Sequence, residues 1–143
     1  MTLEECLEKG LLRKIEASRG MIDKELRLAE ENLKEAESLS QIKHFNASVI
    51  FIYTSMFHSA RAILFKDGYS ERSHACLILY LDEKYIKAGK LEERFILAMD
   101  NLRADRHKAL YNTPATYTED EVNELIETAT EFKKKTKSTI SGE

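Results

Sequence analysis

Arg103, Asp105, Arg106 and His107 stand within one short stretch, LRADRHKALY, from Leu102 to Tyr111. These are residue types suited to phosphate chemistry. A guanidinium forks onto two phosphate oxygens, and an imidazole exchanges a proton near neutral pH. Leu91, Phe95, Ala98, Leu102 and Ala109 fall at helical spacing and form an apolar stripe, but positions 105 and 106 of that stripe are an aspartate and an arginine. Charge therefore sits on or beside a seam that faces the core. An unpaired guanidinium is costly to bury, so Arg106 either meets an acid, with Asp105, Glu92 and Glu93 at hand, or lines a surface that binds an anion. Arg103 and His107 are four residues apart and share a face.

The element that must position these side chains is a helix predicted over about 91–111. An earlier one is expected from about Leu12 to Leu39, because Ile15, Ile22, Leu26, Ala29, Leu33 and Ala36 recur at three, four and seven with charges on the other face. A second, about Lys43 to Lys66, is apolar nearly all round from Val49 to Tyr53 and should be central. Phe51, Tyr53, Met56, Phe57 and Ala60 should lie mostly out of solvent. A third opens at Ser73 and runs to about Lys87. The last opens at Thr118, which makes a capping box with Glu121, and turns Val122, Leu125, Ile126, Ala129 and Phe132 inward. One proline and five glycines leave few sharp turns, at Gly10, Ser38 to Gln41, Lys66 to Ser73, Ala88 to Lys90 and Asn112 to Thr118. The fold class is all-α, an antiparallel up-and-down bundle of four to five helices.

The chain of 143 residues fits a single domain, with the bundle over about 12–138 and a polar tail that frays. A net charge of −3 gives no global attraction to nucleic acid or anionic membrane, so any RNA contact needs a local basic patch. Cys6 and Cys76 lie seventy residues apart with no CxxC, which reads as two reduced thiols acting as small apolar residues. No apolar run reaches the ~20 residues of a membrane span, and MTLEECLEKG lacks the pattern of a secretory signal, so a cytoplasmic protein without a membrane partner is expected. The four histidines are at least fourteen residues apart, and there is no pair of Glu-x-x-His motifs and no zincin motif. Neither a metal nor a cofactor is expected. His58 reads as a satisfied core or interface residue, His74 as part of a helix start, and Tyr53 as a packed ring with its hydroxyl bonded.

The segment FNASVIFIYTSMFHSARAILFKDGYSERSHACLILYLDEKYIKAGKL, followed by LRADRHKALY and a final capped helix, resembles the HEPN domain, in its small prokaryotic branch. The resemblance covers about 12–138 and rests on the run from Tyr53 to Arg61, on Ser73 and His74, on the Ala-Gly break before Leu91, and on the stretch ending at Tyr111. It implies a helical bundle that dimerises and a role as metal-independent endoribonuclease, as the toxin partner of a minimal nucleotidyltransferase, or as a non-catalytic binding module.

Catalytic relatives carry arginine, four to six residues, then histidine. Here Arg103 precedes His107 by three intervening residues, and Arg106 is followed after four by Tyr111, so the motif is degenerate. Tyrosine, with a reference pKa near 10 against about 6.5 for histidine, is a poor general base. The leading reading is a homodimer that binds a nucleotide, RNA or a nucleotidyltransferase partner through Arg103, Arg106, His107 and Tyr111, with Tyr111 as the tyrosine that such a partner would adenylylate. A second reading makes it a ribonuclease in which His107 is the general acid/base and Arg103 or Arg106 steadies the phosphorane. A third is a structural helical adaptor.

Overall fold

Thr2, Ser18, Ser73 and Thr118 each turn a hydroxyl back to accept from a backbone N–H three residues on, at Glu5, Met21, Cys76 and Glu121. At Thr118 the Glu121 carboxylate accepts from the Thr118 N–H at 3.0 Å, which completes the expected capping box. The computed structural model describes residues 1–110 and 116–142, with side chains up to Asp105 and again from residue 116. The caps open α1 (Leu3–Glu8), α2 (Arg19–Gln41), α4 (His74–Leu81) and α6 (Glu119–Ser141). The remaining helices are α3 (Phe45–Lys66) and α5 (Glu93–Leu110), and a π-helical turn, Asp82–Ile86, prolongs α4. The fold is helical, as expected from the sequence.

The centre is the α2–α3 hairpin. Small residues line its seam, and Ser48 and Ser55 of α3 donate to the carbonyls of Ala36 and Ala29 of α2, both at 2.7 Å. These bonds satisfy buried hydroxyls and let the two helices approach closely. Tyr53, Met56, Phe57 and Ala60 are buried; Phe51 is half-buried against the core. By length and composition α3 is apolar enough to cross a membrane, yet 67% of its most apolar stretch is enclosed by the rest of the fold. Phe95 of α5 stacks on Phe132 of α6, ring centres 5.1 Å apart, and both are fully buried.

Four expectations are corrected. The first long helix starts at Arg19 rather than Leu12, because Leu12–Lys14 forms β1, paired antiparallel with β2 (Tyr69–Glu71) in the register Leu12 to Glu71 and Lys14 to Tyr69. What reads as a loop from Lys66 to Ser73 therefore contains a strand. The C-terminal tail is helical to Ser141, and Gly142 closes it at φ 79°. Cys6 and Cys76 are not thiols: they form a disulfide with Cα atoms 6.0 Å apart, tying α1 to the start of α4.

Candidate functional site

Leading into and along α5, the stripe predicted from sequence is buried at Leu91, Phe95 and Leu102 and half-buried at Ala98, joined by Ile96 and Met99, while the side chain of Ala109 lies outside the described residues. Arg103 lies to the side of it. Its guanidinium pairs with Asp100 one turn earlier, Nη2 to Oδ1 at 2.9 Å, rather than with Glu92 or Glu93. Arg103 also lines an open cleft of about 460 Å³ with Ile78 and Leu79 of α4, Ile96 and Leu97 of α5, the carboxylates of Asp82, Glu93 and Asp100, and the Cys6–Cys76 pair at its wall. Leu97 is 53% exposed there, so apolar surface adjoins a cation. Asp105 is half-buried and accepts from the Tyr117 hydroxyl. Burial, then that bond to a carboxylate, pushes the Tyr117 pKa well up from its ordinary value. The seam position held by an aspartate is thus a tie between α5 and the segment leading into α6. The side chains of Arg106 and His107, and the whole of Tyr111, lie outside the described residues.

A second constellation, which sequence reading took one residue at a time, gathers on α3. His58 Nδ1 donates to Glu25 Oε2 of α2 at 2.5 Å, and Glu25 is only 6% exposed. Arg61 donates through Nε and Nη2 to the two oxygens of Glu71 on β2, at 2.7 and 2.9 Å, with Nη1 3.7 Å from Glu25. Burial works against the Arg61 charge, but the carboxylates of Glu71 and Glu25 outweigh it and raise its pKa. The same guanidinium lies 4.3 Å over the Phe57 ring, which stacks on His74 at 4.2 Å. His74 Nδ1 in turn sits 2.7 Å from the Tyr53 hydroxyl. The Arg61–Glu71 ion pair, the His58–Glu25 hydrogen bond, a cation over a ring and a ring stack thus fasten α2, α3, β2 and the start of α4 at one place. The signal that could have found it is Tyr53, Phe57 and Arg61 at successive four-residue steps, which puts them on one face.

Below this cluster Asp67 Oδ2 accepts from Tyr80 and Tyr85, at 2.9 and 2.7 Å. The one Glu-x-x-His sequence, Glu71 to His74, straddles β2 and the head of α4 instead of one helical face. Its glutamate is held by Arg61. Among the described residues no three His, Cys, Asp or Glu side chains are grouped to hold a metal.

The model of the HEPN domain matches residues 22–139, from the first turn of α2 nearly to the end of α6, and leaves α1 and β1 outside. The protein named "Putative toxin MJ0605" from Methanocaldococcus jannaschii is 34% identical over 110 residues, which are 75% of this chain and 79% of that protein. A second relative, "UPF0332 protein PH1297" from Pyrococcus horikoshii, is 27% identical over 85 residues, 59% of this chain and 60% of its own length. The residues of the Tyr53–Arg61 run, which sequence alone likened to this family, are the ones that hold the inner helices together. The chain belongs to the HEPN domain family.

Proposed function

We propose that this chain is the HEPN member of a toxin-like pair, a homodimer that binds RNA or a nucleotide at the Arg103–Tyr111 end of α5 and is countered by a minimal nucleotidyltransferase acting on Tyr111. The observation that carries the reading is the apolar cleft in which the exposed Leu97 adjoins the half-buried Ile78 and Leu79, with Arg103 on its rim paired to Asp100 and with Asp82 and Glu93 beside it. An apolar surface rimmed by charges of both signs is one that a second copy would cover, and a two-fold axis there lets Arg103 of one copy face the carboxylates of the other. The relative named a toxin supports the biological class. The degenerate spacing of Arg103, Arg106, His107 and Tyr111 favours binding over cleavage.

Light scattering at micromolar concentration tests the dimer, and a monomer removes the shared cleft. Single-stranded RNA incubated in EDTA with wild type and with His107→Ala tests catalysis. Cleavage by wild type alone makes this protein a ribonuclease; cleavage by neither leaves the binding module. Co-expression with a minimal nucleotidyltransferase should add AMP to the intact chain, and Tyr111→Phe should abolish that addition.

A further inference from the structure

Lys90, Lys134 and Lys135 converge on an open cleft of about 450 Å³ between the start of α5 and the last turns of α6. Lys134, Lys135, Ser138 and Thr139 follow one another on a single face of α6. Lys90 is presented by a turn whose backbone is fixed, since the N–H groups of Lys90 and Leu91 both donate to the Tyr85 carbonyl, at 2.8 and 3.2 Å. The arginine of this cleft is already engaged: Arg94 lies 4.4 Å over the Phe95 ring and is paired with both Glu92 and Glu131. Among the described residues the lining therefore holds four cations, Lys90, Arg94, Lys134 and Lys135, against two carboxylates, both spent on Arg94, a surplus of two positive charges on a chain of net −3. The adjoining groove along α5 and α6 has the opposite character, with Asp105, Glu121 and Glu124 on its walls. Cations are sorted to one end of the helix pair.

We infer that the Lys90–Lys134–Lys135 cleft is a second phosphate-binding surface, which takes the backbone of single-stranded RNA without reading its bases. Ammonium groups on long stems are point charges that accept many phosphate geometries, and no free guanidinium fork stands among them to select one. Arg94 and Arg103 are nine residues apart, which at about 100° per residue puts them on opposite sides of α5. The lysine cleft therefore stays open when the Arg103 face is covered by a second copy. That the phosphates belong to RNA rests on the function proposed above; the cleft itself does not.

The test measures binding of a fluorescent single-stranded RNA to the full chain across a salt series, comparing wild type with the triple variant Lys90→Gln, Lys134→Gln, Lys135→Gln. Each lysine that contacts phosphate contributes about 0.7 to the slope of log affinity against log salt, so the slope should fall by about two. A control with the same loss of charge elsewhere, Lys9→Gln, Lys14→Gln, Lys24→Gln, should keep the wild-type slope. Equal slopes in all three proteins, equal losses in both variants, or no RNA binding by wild type would overturn the proposal. So would lysine-dependent binding of phosphatidylglycerol vesicles with RNA binding untouched. Arg103→Gln separates the two readings. If it weakens binding and the lysine variant does not, the α5 end stands and the cleft falls; the reverse result keeps the cleft and removes the α5 end.

Discussion

Arg61 on the central helix and Glu71 on the short strand β2 meet by two parallel hydrogen bonds, 2.7 and 2.9 Å, with the Glu71 side chain 3% exposed. A paired buried charge is tolerated, whereas a buried charge deprived of its partner is not. Arg61→Met leaves Glu71 buried without its partner, while Glu25 keeps His58, and should cost about 3–5 kcal/mol in urea unfolding. Arg61→Met with Glu71→Leu should recover most of that loss. A single variant as stable as wild type would show that the pair is solvated.

Phe57 is the ring on which this cluster is stacked, between Arg61 and His74. It is 7% exposed, so Phe57→Ala opens a cavity and withdraws the surface under the guanidinium. The expected loss is about 3–5 kcal/mol. A loss below about 1 kcal/mol would place the ring outside the core.

Tyr80 and Tyr85 share the Asp67 carboxylate, and burial first, then that bond, pushes both hydroxyl pKa values well above the ordinary tyrosine value. The unfolded chain gives up these protons near pH 10 while the folded chain keeps them, so the folded state binds more protons above that point. Stability should hold up to about pH 10 and fall as pH rises further. Tyr80→Phe with Tyr85→Phe should flatten the alkaline decline. Phenolate absorbance should show both tyrosines, and Tyr117 with them, titrating later than the unfolded chain.

The Cys6–Cys76 bond closes a loop of seventy residues. Loop-closure scaling puts its worth at about 4 kcal/mol. Dithiothreitol should lower the melting temperature of wild type and leave the Cys6→Ala, Cys76→Ala variant unmoved. An equal response in both proteins would mean that the thiols are not bonded to each other.

Local rules carried the sequence reading a long way. Ser73 and Thr118 opened helices where a hydroxyl three residues ahead of an N–H demanded it, and α3 was central because its apolar residues ran all round. What escaped depends on distant partners. β1 is three residues long and exists because β2, more than fifty residues away, supplies its ladder. Helical periodicity through Ile15 and Ile22 masked it. The disulfide is as remote, and spacing alone cannot separate it from two apolar thiols. At the candidate site the outcome divides similarly. Arg103 and Asp105 were legible as odd charges beside a stripe, but their partners, Asp100 and Tyr117, were not. His58, Arg61 and His74 each have an ordinary helical explanation, and only the fold joins them through Glu25, Glu71 and Phe57.

The wide turn after α4 has a consequence for how the chain can vary in length. Its Lys87 N–H reaches back five residues to the Asp82 carbonyl, at 3.0 Å. In a regular α-helix Tyr80 and Tyr85 would point about 140° apart, since each residue turns about 100°. The wider coil brings both hydroxyls to one oxygen of Asp67. Residues 82–86 thus work as a spacer with a fixed count: Glu83 and Lys84, both exposed, can change identity freely, but deleting either would swing Tyr85 away from Asp67 with no change in its own sequence.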